Sequence, residues 1–214
     1  MRKLLIKKIA IIGSPGAGKT TLATELGKTL NIKVFHLDRL LWKRGWIRKC
    51  KDTRIDILYK IVPERQWIIE GTYLSSSKPR LEEADTIIFL DMPPWLCLLR
   101  IIRRHRKNRG MPRRDLPIDS TDKLTLSRML KVLTFALAER ERLQCVLNKY
   151  ESERVVRLCS SKSVEKYLKE QMPKIDAHGA SSDVRSFQKI FSLAKIVKLA
   201  MSYLHNVSSP PQQV

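Results

Sequence analysis

Eight residues, Gly13-Ser14-Pro15-Gly16-Ala17-Gly18-Lys19-Thr20, constrain what this chain can fold into more than any other feature. The spacing G-x-x-x-x-G-K-T follows an apolar run, Ile9-Ala10-Ile11-Ile12, that reads as a buried strand. It precedes Thr20-Thr21-Leu22-Ala23-Thr24-Glu25-Leu26, which reads as an amphipathic helix. Glycines at these places let successive main-chain N–H groups turn into one concavity, where anionic oxygens bind. The helix that starts at its rim adds a partial positive charge. This is the pattern of a phosphate-binding loop: the lysine reaches β- and γ-phosphates and the following hydroxyl can ligate Mg²⁺. The expected nucleotide contacts are therefore Gly13, Ser14, Pro15, Gly16, Ala17, Gly18, Lys19, Thr20 and Thr21, with Lys19 catalytic, Thr20 on the metal, and ATP and Mg²⁺ as ligands. The bland reading, a glycine-rich strand–helix turn without a ligand, fits the surrounding pattern less well.

A length of 214 residues suits one domain, or one domain with an appendage, and 43% hydrophobic residues fits a soluble globular chain. No apolar stretch reaches the roughly 18 residues a membrane span needs. Lys7 and Lys8 interrupt the apolar N-terminus, so a signal peptide is not expected. Cys50, Cys97, Cys145 and Cys159 are widely spaced, without a C-x-x-C pair or metal-ligand spacing. They read as free thiols, and the cytoplasm is the expected compartment. Charge is more telling. The net value is +21, and residues 100–114 hold eight basic side chains and no acidic one. Such a cluster points to a polyphosphate or nucleic-acid partner.

Short β-rich runs alternate with helical patterns, which predicts an α/β fold with a parallel sheet. The strands are expected at Lys8–Ile12, Lys33–Leu37, Trp67–Glu70, Thr86–Leu90 and Arg154–Leu158. Helices are expected at about 19–30, 52–64, 77–84, 93–107, 121–149 and 162–171. Residues 1–172 form the expected main domain, with a basic, proline-bracketed lid over about 103–119. Residues 173–183 read as a linker and 184–205 as an amphipathic helix, packed on the core, forming a dimer contact, or meeting a membrane surface or other partner. The last residues, 208–214, read as disordered.

In a parallel sheet the carboxyl ends of the strands open onto one edge, where ligands bind. Asp38 follows the second strand, so it is placed to face a γ-phosphate and to orient or deprotonate an acceptor hydroxyl. Its alternative is a helix cap. Glu70 and Asp91 end the third and fourth strands, and either can hold Mg²⁺ directly or through water. Arg100 and Arg104 share one helical face, so they can converge on one anion while Arg103 and Arg106 point elsewhere. An arginine-bearing lid would also exclude water from a phosphoryl transfer. Trp42 and Trp46 suit an acceptor wall or the core equally, and no histidine is assigned a role.

Several segments together resemble the adenylate kinase-related P-loop proteins, specifically the bacterial DNA topology modulation group. They are Gly13–Thr20, Val34–Trp46, Trp67-Ile68-Ile69-Glu70-Gly71-Thr72-Tyr73 and Arg80–Pro93, and the likeness spans roughly residues 7–170. The resemblance implies a P-loop NTPase fold of nucleoside monophosphate kinase type, with five parallel strands in the order 2-3-1-4-5, an acceptor region after the second strand and an arginine-rich lid. It also implies that Glu70-Gly71 stands for the Asp-Gly pair that organises Mg²⁺, and that Arg100 and Arg104 are the adenine-side and phosphate-side arginines. One departure is plain. Those kinases continue with an aromatic residue, Pro and Arg, whereas this chain has Thr72-Tyr73-Leu74, leaving Arg39 or Arg80 to grip an acceptor phosphate.

The expected activity is transfer of the γ-phosphoryl of ATP–Mg²⁺ to a nucleotide or small-molecule acceptor. The alternatives are an ATP-binding, nucleic-acid-associated regulator acting through the 100–114 segment and a non-catalytic module that has kept the loop. No helix-turn-helix, zinc-finger or RNA-binding signature supports the regulator. No guanine-selecting N-K-x-D pattern occurs, which favours ATP.

Overall fold

Runs such as Ile9–Ile12 and Thr86–Leu90 are apolar without alternation, as strands must be when helices cover both sheet faces. The computed structural model describes residues 7–43, 47–107, 130 and 132–171. Its strands are β1 (Lys8–Gly13), β2 (Val34–His36), β3 (Trp42–Lys43), β4 (Ile47–Arg48), β5 (Trp67–Glu70), β6 (Thr86–Leu90) and β7 (Val155–Leu158). Five of them form one sheet in the order β2-β5-β1-β6-β7, with every pairing parallel. Counted along the chain without the β3–β4 pair, this is the order 2-3-1-4-5.

The helices are α1 (Lys19–Leu30), α2 (Leu37–Leu41), α3 (Lys51–Ile61), α4 (Lys78–Glu83), α5 (Pro94–Lys107), α6 (Arg140–Leu147) and α7 (Ser161–Gln171). Alternate strand residues Ala10, Ile12, Trp67, Ile69, Ile87 and Phe89 share a buried cluster with Leu58 and Ile61 of α3, Leu81 of α4 and Leu143 and Leu147 of α6. Helix α1 packs on β1, β2 and β5 and against α7. It stops where expected because Asn31 turns left-handed (φ 53°, ψ 45°) and its N–H caps the carbonyls of Gly27 and Lys28. Pro94 opens α5, a position where its missing N–H costs nothing.

Three local features depart from the sequence reading. The second strand ends at His36, because Leu37 and Leu41 bury themselves completely at helical spacing and pull the chain into α2. The antiparallel pair β3–β4 follows, with Trp42 opposite Arg48. The helix expected over 121–149 is interrupted by a π-turn at Phe135–Glu139, whose wider turn re-phases α6.

Residues 108–129 lie outside the described residues, and with them most of the expected lid and the start of that helix. Trp46 lies outside them too. The chain divides into two units at Met172/Pro173; residues 172–214, with the expected linker and tail helix, also fall outside the described residues. No helix among the described residues is long and apolar enough to cross a membrane.

Candidate functional site

The turn from β1 into α1 is tight. Gly13, Gly16 and Gly18 have φ of 147°, 81° and 102°, values that other residues adopt only under strain. Gly16 also lies flat against α5: a Cβ there would stand 2.5 Å from the Cys97 carbonyl oxygen. Lys19, the first residue of α1, folds back over the loop and donates to the carbonyls of Gly13 and Ser14, both at 3.0 Å. Its ammonium thus already sits at the mouth of the loop. Thr21 is exposed on the next position but one of α1.

Arg100 reaches the same loop from α5. Its Nη1 donates to the Ala17 carbonyl at 2.8 Å and its Nη2 to Ser161 Oγ at 2.9 Å, so it ties loop, α5 and α7 together. Burial lowers its pKa. Arg104 is half-buried while Arg103 and Arg106 are exposed, the division of faces expected from helical spacing.

Register brings the next group in. Glu70 pairs with Ile11 on one side and with His36 on the other. Its side chain, almost wholly buried, accepts a hydrogen bond from Thr20 Oγ1 at 3.2 Å, and His36 Nδ1 lies 2.9 Å from the same carboxylate oxygen. A hydroxyl and a carboxylate side by side at the loop mouth are the hard oxygen donors Mg²⁺ prefers. Among the described residues no three His, Cys, Asp or Glu side chains converge as a metal set. A cation here would draw its remaining ligands from phosphate and water, as Mg²⁺ commonly does. The donor set fits a magnesium-bearing nucleotide. Sequence spacing gave no hint of His36; only the pairing of β2 with β5 reveals it.

Beyond Glu70 the turn Gly71-Thr72-Tyr73 is bonded to Gly13 and to Asp38. Gly71 N–H donates to the Ile11 carbonyl at 3.0 Å. Thr72 Oγ1 donates to the Gly13 carbonyl at 2.5 Å and accepts from Gly13 N–H at 3.2 Å. Tyr73 Oη donates to Asp38 Oδ1 and accepts from Trp42 Nε1 at 2.6 Å. Burial, and then the charge and hydrogen bond of Asp38, push the Tyr73 phenol well above its usual range, so it stays a donor. Its φ of 22° is unusual for an aromatic residue and costs on the order of 1–3 kcal/mol.

Arg80 underlies this turn. Fully buried, it donates through Nη2 to the carbonyls of Gly71 (2.8 Å) and Thr72 (2.7 Å) and through Nη1 to that of Ser76 (3.4 Å). Burial pulls its pKa down to about 10, which leaves it charged at neutral pH. It is sealed from any ligand, so of the two arginines considered for an acceptor phosphate only Arg39, exposed on α2, is accessible.

No protein-family model matches this chain, and no curated protein matches it. Among solved structures it is similar to shikimate kinase from Acinetobacter baumannii in complex with shikimate, at 16% identity over 77% of this chain and 90% of that one, with a TM-score of 0.49. It is similar to shikimate kinase from Bacteroides thetaiotaomicron at 16% identity over 77% and 96%, with a TM-score of 0.49. A gluconokinase from Sinorhizobium meliloti gives 14% identity over 78% and 90%, with a TM-score of 0.47. What decides the fold is the parallel order β2-β5-β1-β6-β7 with a G-x-x-x-x-G-K-T turn leaving the central strand. This is an α/β P-loop NTPase fold.

Asp91, the other strand-end carboxylate, is bonded by two arginines. Arg140 Nε and Nη2 donate to its two oxygens at 2.7 and 2.9 Å, and Arg157 Nε donates at 2.8 Å. Burial alone would raise this carboxyl, but the bonds from Arg140 and Arg157 outweigh it and hold the group below the ordinary carboxylate value. Of the two acidic residues considered for the metal, Glu70 is the one brought to Thr20, while Asp91 anchors the first residue of α6 to the end of β6. Arg140 directly follows the π-turn.

Proposed function

We propose that this P-loop protein is a kinase that moves the γ-phosphoryl of ATP–Mg²⁺ to a nucleotide or small-molecule acceptor bound beside Asp38. The observation that carries the reading is the position of Glu70. The sheet register sets it between Ile11, two residues before the phosphate loop, and His36, two residues before Asp38. On this reading the nucleotide and the acceptor would flank one buried carboxylate.

The loop amides would hold the phosphates, and Lys19 would exchange the Gly13 and Ser14 carbonyls for β- and γ-oxygens. Thr20 and Glu70 would hold Mg²⁺, which neutralises charge on the transferred group when bound. Arg100, fastened to Ala17, would keep the loop closed on the nucleotide, with Arg104 on the same face. Asp38 would accept the proton of the attacking hydroxyl as its oxygen bonds the γ-phosphorus; the bond to the β–γ bridging oxygen breaks and ADP leaves. The resemblance of its motif segments supports reading the chain further as an adenylate kinase-related protein of the DNA topology modulation group.

The deciding experiment presents labelled ATP–Mg²⁺ and a panel of nucleotides, nucleosides, sugars and small acids, beside a control without acceptor. Label should appear on one acceptor class faster than on water. Release of phosphate to water alone, across the whole panel, would defeat the kinase reading.

A further inference from the structure

The turn after β5 touches both halves of the site through adjacent residues. Thr72 is bonded to Gly13 at the root of the phosphate loop, and Tyr73 is bonded to Asp38. The turn does not drift, because the buried Arg80 grips the carbonyls of Gly71 and Thr72. The same phenolic oxygen accepts from the Trp42 indole N–H, leaving its one proton for Asp38. Its left-handed backbone keeps the ring in this place at a cost in strain, which the surrounding bonds over-determine. From the chain Trp42–Tyr73–Asp38, anchored on Arg80, we infer that Tyr73 is a positioning residue that aims the Asp38 carboxylate at the acceptor and sets its distance from the phosphate loop.

This rests on the reading of Asp38 as the acceptor-side base. Removing the phenolic oxygen withdraws the hydrogen bond that Tyr73 gives Oδ1 of the carboxylate, and a displacement of about 1 Å in a reacting group costs as much as 100-fold in rate. Nucleotide binding should not follow, since Thr72 keeps its bonds to Gly13.

The test is transfer to the best acceptor of the panel by the full chain, as wild type, Tyr73→Phe and Trp42→Phe. Each is also made in an Asp38→Asn background and followed under single-turnover conditions, where slow transfer is still readable. Tyr73→Phe should lower kcat by about 10- to 100-fold with KM for ATP unchanged, Trp42→Phe should lower it less, and both losses should vanish in the Asp38→Asn background. Chemical unfolding of the same set provides a second cycle, in which Tyr73 and Asp38 should couple by about tenfold in the unfolding constant. Tyr73→Phe transferring at the wild-type rate, or losing the same factor with and without Asp38, overturns the proposal while leaving the kinase reading intact. If wild type transfers to nothing, that reading fails. Tyr73 is then at most a structural strut, and the positioning role falls with it.

Discussion

The two sides of the site are built in different ways. The nucleotide side is made almost wholly from the backbone of one continuous segment, Gly13–Thr20, with a single ammonium and a single hydroxyl added. The side proposed for the acceptor is assembled from side chains of separate elements: Asp38 on α2, Trp42 on β3, Tyr73 on the turn after β5, and Arg80 on α4 beneath them. A backbone site tolerates little change at its glycines but needs few particular side chains. A side-chain site has no local pattern and depends on where the sheet brings its parts. Glu70 belongs to both, reached by Thr20 from one side and by His36 from the other.

Substitutions on each side should fail in different ways. The largest effect is expected for Lys19→Ala, which should cut transfer by about 1,000-fold with an unchanged circular dichroism spectrum and an intact Trp42–Tyr73–Asp38 network. A loss of fold on that change would mean the two sides are not separable. Next comes Arg80→Met. It strips the carbonyls of Gly71, Thr72 and Ser76 of their donors, at about 2–4 kcal/mol in urea unfolding. ATP affinity should change less than acceptor KM.

Within the loop, Gly16→Ala should cost about 2–3 kcal/mol, since its methyl would strike the Cys97 carbonyl at 2.5 Å. Gly18→Ala, whose nearest neighbour is Arg100 Nη1 at 3.6 Å, should cost about 1 kcal/mol for its torsion alone. Equal losses would argue against the tight seat of the loop on α5.

The smallest effect concerns Asp91, outside both halves. Its folded pKa is lowered by Arg140 and Arg157, so its contribution is present above the unfolded value of about 4 and disappears as pH falls through the folded one. Both arginines are more than a third exposed, which limits the contribution to about 1 kcal/mol. Asp91→Asn should lower the melting temperature at neutral pH and converge with wild type in acid. A constant difference down to strongly acidic pH would rule out the charge pair as the cause.

Parts of this arrangement are legible in the order of residues. Continuous apolar runs locate the central strands β1, β5 and β6 to within a residue or two, because a strand covered on both faces has no polar side to hide. The split of α5 into a half-buried face with Arg100 and Arg104 and an exposed one with Arg103 and Arg106 follows from helical geometry. Contacts between residues far apart in the chain leave no such trace. His36 meets Glu70 across 34 positions, Tyr73 meets Asp38 across 35 and Arg140 meets Asp91 across 49. Asp91 and Glu70 look alike in sequence, as acidic residues at strand ends. Their neighbours separate them: Thr20 and His36 beside one, two guanidinium groups on the other.

The sequence by itself determined the phosphate loop, because eight consecutive residues contain its donors, its torsions and the start of its helix. It also determined that the sheet strands would be parallel and the central ones buried. Tertiary structure alone decided which carboxylate stands by the loop, which tyrosine holds Asp38, and that Arg80 is sealed beneath the turn rather than open to a ligand. The reason is range. Main-chain geometry is specified locally by residue type, whereas the partner of a side chain is settled only when sheet register and helix packing bring distant residues within about 3 Å.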